Sequence, residues 1–588
     1  MILACACAVS LATEPPFDGR PWNVSTGNLS VSFIRQSPIG AGATAGYAIE
    51  PPPSVEAMAK MKADGLIAYE DYIAWGAVER EPGKWQWEQH RAVADAVKKA
   101  GLDYVVYVWA HFPPVWLRER GGSELTLMKS LNTGKECNSF SIFDPKTIEH
   151  YDHFYKNLSQ HLGDKIDSVY ACILGPYGEG NYPLYVPDWV NVGPSHEGYW
   201  AGDKFALIAF RDAMKSKYGN DLARLNTAWG TSHATWDDVL PPKEIGDPFK
   251  PVPLSLHTPQ NRRRWLDFLT WYHQAIIDFA ERSVQVTLKY FPKEKVRTKP
   301  GGNARGVNPL AWGTYCPGYA KMAGKYGIVM QPADCQGAYF GDKWVGTAYQ
   351  FYNVPLSTEP AGNLDSKEFV RRMFSDASSG AAQLFTYQFE QHAATIRKYV
   401  HLYTGKPGDT EIAVLCPTTL YRIGGDLQPS ITGGAKLRDL ADFDVLDELL
   451  IADGALTTRY RAMIIIEPDF VEDAVLEKIE AWTKDGGQLI LVGDQSMKTI
   501  SGERRLTAAG PLGAGRIART DAKNWINELD LLKSMKGFDG KLDGLMTCRR
   551  AGQVFIFNSN DKATPITIDL AGATADIVIE PHTICSNR

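Results

Sequence analysis

Glu179 sits in the run Leu174-Gly175-Pro176-Tyr177-Gly178-Glu179-Gly180-Asn181-Tyr182-Pro183, and Glu359 in Pro355-Leu356-Ser357-Thr358-Glu359-Pro360-Ala361-Gly362. Glu179 lies in the Gly- and Tyr-rich loop that follows an apolar segment, and Glu359 falls directly at the end of another, before a Pro-containing turn. Singly, each reads equally well as a turn with a surface glutamate. Together they suit one chemistry, cleavage of a glycosidic bond, which needs two carboxyl groups flanking the scissile linkage. One protonates the leaving oxygen, and the other attacks the anomeric carbon or activates water. A separation of about 5–5.5 Å would retain the anomeric configuration, and about 6.5–9.5 Å would invert it. Tyr177, Asn181 and Tyr182 add rings and polar groups suited to a sugar.

Further candidates stand at the ends of other apolar segments. Glu70 and Asp71 come as a pair followed by Trp75, with one of the two acids expected in a structural ion pair. His111 and Trp116, in Ala110-His111-Phe112-Pro113-Pro114-Val115-Trp116, offer an imidazole and a ring. A packed loop histidine is the plain alternative for His111. Lys299 and Asn303 supply cationic and amide donors, Gln331 and Asp334 follow a sixth segment, and Tyr387, Gln388, Glu390 and His392 an eighth. No metal or organic cofactor is expected. The nine cysteines include no C-x-x-C pair, and the glycines near Asn303 lack a dinucleotide fingerprint. Arg262-Arg263-Arg264 reads as a solvated helix face, with an anionic sugar as its alternative ligand.

Short apolar runs alternating with amphipathic stretches must position these residues. Eight strands are expected: Val31–Ile34 or a segment close after it, then 65–72, 102–109, 168–174, 295–299, 327–331, 352–357 and 383–387. Eight strand–helix units predict an α/β protein with a (β/α)8 barrel, whose site lies at the strands' C-terminal ends. The long interval between the fourth and fifth strands predicts an inserted lobe. Beyond Gly408 the pattern restarts, with strands at 411–416, 462–467 and 488–494 and helices at 444–454 and 473–487, as in a small open α/β domain. The last stretch reads as short antiparallel β segments.

The chain has 588 residues, 44% hydrophobic and 22% charged, with a formal charge of −6. About 150 residues per domain would suggest roughly four domains, fewer if one is a large barrel. Without a basic run no nucleic-acid partner is expected, and no stretch reaches the roughly 18 apolar residues of a membrane span. Residues 1–22 open with an apolar run ending Ser10-Leu11-Ala12, which reads as an export signal and a secreted or periplasmic protein, with a cytoplasmic one as alternative. Of the 16 Trp and 26 Tyr, residues Trp75, Trp109, Trp116, Tyr177, Tyr182 and Tyr387 fall near predicted strand ends and are expected to line the site.

The stretch LIAYEDY…AHFPPVWL (66–117) resembles the second and third barrel units of glycoside hydrolase family 42, and KYGNDLARLNTAWGTSHATWDDVLPP (217–242) is similar to that family's segment after strand four. The resemblance implies a catalytic barrel over 23–405, a flavodoxin-like trimerisation-type domain over 406–518, a C-terminal β domain over 519–588, and a homotrimer. It also implies Glu179 as acid/base and Glu359 as nucleophile of a retaining, exo-acting, β-galactosidase-like enzyme. Two features depart from that family. Gly178 stands where the wider clan usually has Asn, and the family's four-Cys zinc site is missing. The loop GPYGEGNYPLY instead resembles that of the β-amylases, family 14, which invert α-glucans. The alternatives are therefore an inverting β-amylase-like hydrolase and a catalytically silent carbohydrate-binding barrel.

Overall fold

A computed structural model covers the chain. It describes residues 24–27 and 54–586, apart from 112, 122–123, 176–177, 184–197, 248–249, 302–312, 333–338, 360–363, 388, 468, 494–495, 522–524, 541 and 571–572. Among these residues eight strands share one sheet: β1 (Val24–Gly27), β2 (Ala68–Ala74), β3 (Asp103–Trp109), β4 (Ser168–Ala171), β5 (Val296–Thr298), β6 (Val329–Met330), β7 (Ser357–Thr358) and β8 (Gln383–Phe385). Their order is β6-β5-β4-β3-β2-β1-β8-β7, and every pairing is parallel. Sequence neighbours thus lie side by side and the first strand pairs with the last, the connectivity of a (β/α)8 arrangement. The remaining seam, between β6 and β7, carries one parallel bridge, Met330 to Leu356, and a 3.3 Å hydrogen bond from the Met330 N–H to the Pro355 carbonyl, rather than a ladder.

The first strand is a correction. It falls at Val24–Gly27, where Val-Ser-Thr-Gly offers no apolar run, while Val31–Ile34 lies outside the described residues. Its place is set by pairing on both sides, Val24 with Leu384 and Ser25 with Ala68.

Helices pack behind the strands. In α2 (Glu88–Lys99; α1 is Val55–Ala63) the buried positions His90, Val93, Ala94 and Val97 follow helical spacing, and Gly101, at φ +78°, ends the turn. Asp144 caps α3 (Pro145–Leu162), with Pro145 in its first turn. The interval between β4 and β5 holds α4 (Lys204–Lys217), α5 (Leu222–Trp229) and the 30-residue α6 (Pro259–Leu288). Asp267 of α6 is buried where α4, α5 and α6 meet. It accepts from the Tyr218 hydroxyl (2.6 Å) and Trp229 Nε1 (2.9 Å), and pairs with Lys217 (2.7 Å).

A second sheet comprises β9 (Ile412–Cys416), β10 (Asp444–Asp447), β11 (Ala462–Ile466), β12 (Gln488–Val492), β13 (Gly510–Leu512) and β14 (Gly515–Thr520), in the order β10-β9-β11-β12-β14-β13. The first five in space are parallel, in the doubly wound order 2-1-3-4-5. The expected helix at 444–454 is thereby corrected to a strand followed by a short helix, Glu448–Ala452. The Asp447 side chain accepts from the Leu450 N–H and so caps that helix. Last come β15 (Leu545–Arg550), β16 (Gln553–Asn558) and β19 (Ile584–Ser586), with a separate hairpin β17–β18 (Thr564–Leu570, Ala573–Ile579).

The pieces are tied by buried cations. Arg550 of β15 donates to the carbonyls of Thr404, Gly405, Ala377 and Tyr403 at 2.7–3.1 Å. Each member of the Arg262–Arg264 run is engaged with other protein groups, which corrects its reading as a solvated face. Arg262 donates to Ile500 and His257 carbonyls and lies over Phe470, Arg263 forks onto Glu472, and Arg264 pairs with Glu244.

Candidate active site

The loop after β4 is held by its backbone. The Ile173 N–H donates to the Gly178 carbonyl (2.7 Å), the Leu174 and Gly175 N–H groups to the Glu179 carbonyl (3.0 and 2.8 Å), and the Gly180 N–H to the Lys299 carbonyl (2.8 Å). Glu179 is thereby fixed between the ends of β4 and β5. Gly178 has φ +75°, and a Cβ there would stand 2.9 Å from the Val108 carbonyl oxygen and 3.3 Å from His111 Nδ1. Both the left-handed backbone and the lack of room require glycine. An asparagine in front of this glutamate has no space.

Glu359 directly follows β7, and its N–H donates to the Pro332 carbonyl at 3.3 Å. Behind it, Thr358 Oγ1 donates to Asp376 (2.7 Å), which also pairs with Arg372 at 3.5 Å. The Tyr387 hydroxyl, beyond β8, donates to Glu359.

Lys299, one residue past β5, joins the two glutamates. Its ammonium lies 3.5 Å from Glu179 Oε1 and closer still to Glu359 Oε2, and over the Tyr107 ring at 4.6 Å. One nitrogen in contact with both acids sets Glu179 and Glu359 on either side of a shared space at the strand ends. All three side chains are buried. Burial raises the Glu179 pKa, against the opposing charge of Lys299. Burial lowers that of Lys299, against Glu179 and Glu70. Desolvation thus pushes both partners toward neutrality, and their mutual attraction resists it.

Glu70 and Gln331 meet on one tyrosine. The Tyr170 hydroxyl lies 3.0 Å from Glu70 Oε1 and hydrogen-bonds the Gln331 amide, whose other end is 3.1 Å from Ser357 Oγ. One phenolic proton faces two acceptors. Turning the Gln331 amide over satisfies every group, with nitrogen toward Tyr170 and oxygen toward the Ser357 hydroxyl. Tyr72 packs edge-on against Tyr107 (5.2 Å) and Trp109 (5.9 Å). Burial lifts the pKa of Tyr72, Tyr107, Tyr170 and Tyr387 well above the ordinary value, so these phenols stay protonated donors.

The structure therefore brings together Glu179, Glu359, Lys299, Glu70, Gln331 and Tyr387. His111 is close by, fully buried, with Nδ1 3.5 Å from Cys172 Sγ beneath the Gly178 turn. Four expected ligand contacts are corrected. Asp71 faces away from Glu70, bound to His90 Nδ1 (2.8 Å) and the Tyr104 hydroxyl (2.5 Å), because adjacent strand residues take opposite faces. Trp75 is wholly buried, donating to Glu79 (2.6 Å) and stacked on Phe140; Trp116 packs edge-on against it and donates to the Glu79 carbonyl (3.0 Å). Tyr182 stacks on Tyr272 at 3.8 Å, with its hydroxyl on the Tyr272 carbonyl. Asn181 is also buried and turned from solvent. Tyr177, Asn303 and Gln388 lie outside the described residues. The sequence reading missed Tyr107 and Tyr170 as site residues. The period-two rule could have found them, since Tyr107 shares the face of Tyr72 in the β2–β3 register.

The profile of glycosyl hydrolase family 14 matches residues 43–308. A β-amylase of Cytobacillus firmus is 29% identical over 231 residues, 37% of this chain and 48% of that protein. The inactive β-amylase 9 of Arabidopsis thaliana is 32% identical over 262 residues, 39% of this chain and 44% of that protein. The chain thus spans less than half the length of these curated relatives. In fold it is similar to a catalytic mutant of Gan42B, a family 42 β-galactosidase from G. stearothermophilus, with TM-score 0.68 and 13% identity over 96% of this chain and 98% of that one. The chain resembles family 42 in overall fold and family 14 over residues 43–308, the segment that bears Glu179.

Proposed function

We propose that the protein is a retaining, exo-acting β-glycosidase of β-galactosidase type that uses Glu359 as nucleophile and Glu179 as acid/base. The observation that carries this reading is the single ammonium in contact with both carboxylates, which sets the two acids facing one another at the strand ends. Glu359 attacks the anomeric carbon as the glycosidic C–O bond breaks, and Glu179 gives its proton to the departing oxygen. Water then loses a proton to Glu179 and displaces Glu359, which restores both acids. Burial of Glu179 supports its starting the cycle protonated. The Tyr387 hydroxyl donates to Glu359 and the Lys299 ammonium pairs with it by charge, which favours an anionic nucleophile there. No cofactor takes part. Assembly as a trimer and export from the cytoplasm belong to the same proposal by family likeness and by residues 1–22.

The test is a panel of aryl β-glycosides followed by trapping with a fluorosugar. The expected results are a product anomer matching the substrate and a label on Glu359. A label on another residue overturns the assignment. The second reading, an inverting hydrolase of β-amylase type, is favoured by the family 14 match over 43–308. It predicts an inverted product anomer and no rescue of Glu179→Ala by azide.

A further inference from the structure

We infer that Asn181 is a positioning residue, an amide wedge that holds the Glu179 loop against the end of the Lys299 strand. The inference rests on the glycosidase reading for its kinetic consequences. Asn181 is 1% exposed, and its side chain lies between Gly175, at the start of the loop, and Gly301, two residues past Lys299. A Cβ on Gly175 would meet Asn181 Oδ1 at 2.3 Å and Nδ2 at 2.7 Å. On Gly301 it would meet Oδ1 at 2.3 Å and Cγ at 2.9 Å. Neither glycine has a positive φ, unlike Gly178, so backbone conformation does not demand glycine at either place. What demands it is the room that Asn181 occupies.

Hydrogen bonding does not account for this residue. Nδ2 donates to the Tyr182 carbonyl at 3.2 Å, while the buried Oδ1 has no hydrogen-bond partner among the described residues. A buried acceptor left unmatched is unfavourable, so the slot is filled for its shape, by a flat amide between two α-carbons. The same corner is fastened on either side. The Gly180 N–H reaches the Lys299 carbonyl at 2.8 Å, and the Gly180 carbonyl accepts from the Tyr319 hydroxyl at 3.1 Å. Gly175, Asn181 and Gly301 thereby lock two strand ends together, one carrying the acid and the other the ammonium that opposes its burial. Removing the wedge, or pushing it from either side, moves Glu179 relative to Lys299.

The experiment compares Asn181→Ala, Asn181→Ser, Gly175→Ala and Gly301→Ala with the wild type on aryl glycosides of graded leaving-group pKa. A misplaced acid harms the bond-breaking step, which kcat/KM reports, only for substrates whose leaving group needs a proton. The expected result is a kcat/KM loss of about 100-fold for poor leaving groups, with that of dinitrophenyl glycosides nearly spared. A uniform loss across the series, or none, overturns the inference. A second readout needs no turnover: the infrared band of protonated Glu179, assigned by its absence in Glu179→Gln, is titrated in each protein. Its midpoint is expected to move by about half a pH unit or more in the variants, and an unchanged midpoint overturns the inference. A wild type inert on every glycoside defeats the glycosidase reading, and the infrared titration then decides the wedge by itself.

Discussion

Lys299 exerts on Glu179 the one pull that opposes burial. Replacing it with Met removes that pull, so the Glu179 pKa, already raised, rises further. The basic limb of the kcat/KM profile, which reports loss of the acid's proton, is expected to move to higher pH by about one unit or more. A pH–rate series on Lys299→Met measures this, and an unmoved limb would contradict the pairing. Gly178 gives a second test. With φ +75° and the Val108 carbonyl 2.9 Å from a would-be Cβ, Gly178→Ala should lower stability by about 1–3 kcal/mol and kcat by about 100-fold, read by denaturant melts and steady-state kinetics. The two glutamates were legible as a candidate pair because each stands in the turn that ends an apolar run. Lys299 was legible only as a donor. Its role as a shared counter-ion depends on three strand ends meeting, which no local pattern encodes.

Elements were legible where a helix has one apolar face or a strand is a continuous apolar run. The helix at 88–99 shows the first pattern; the strand at 103–109, buried from Tyr104 onward, shows the second and lies close to where it was expected. The strand at 24–27 carries no such signal and exists by virtue of two neighbours. Asp444–Asp447 runs into Glu448–Ala452 without a break in hydrophobicity, so the change from strand to helix is hidden until Asp447 is seen capping. Glu448 provides this scale's prediction. Burial pushes its carboxyl up to about 7 from an ordinary 4.5, despite hydrogen bonds from the Thr419 N–H and hydroxyl. Below 4.5 the folded and unfolded chains are both protonated there, and the group is neutral to stability. Between 4.5 and 7 the unfolded chain ionises first, so stability falls as pH rises, by about 3 kcal/mol in all, and the cost is complete above 7. Glu448→Gln should remove this slope. Its melting temperature relative to the wild type should climb from pH 5 to pH 7.5 and then level off, and parallel curves would refute the shift.

For the whole molecule, the sequence pattern suggested a barrel and two smaller β-containing parts but said nothing about how they are joined. The joints are side chains far apart in sequence, the half-buried Arg263 on Glu472 and the buried Arg550 on four carbonyls, and long-range pairs leave no trace in local spacing. Arg550→Ala should strand those carbonyls and cost at least about 3 kcal/mol, with calorimetry resolving an early transition of the C-terminal sheet ahead of the barrel. Arg550→Lys should recover little, because an ammonium cannot fork across four acceptors. A single unshifted transition in both variants would show that the joint carries no stability.

The Arg550 joint also orders events in time. Its guanidinium answers carbonyls up to 173 residues earlier in the chain. At roughly 5–20 residues per second of synthesis, the barrel's closing turns would wait on the order of ten seconds or more at the ribosome for the donor that completes them. A chain interrupted before residue 550 keeps both glutamates and yet leaves those four carbonyls without the guanidinium that binds them.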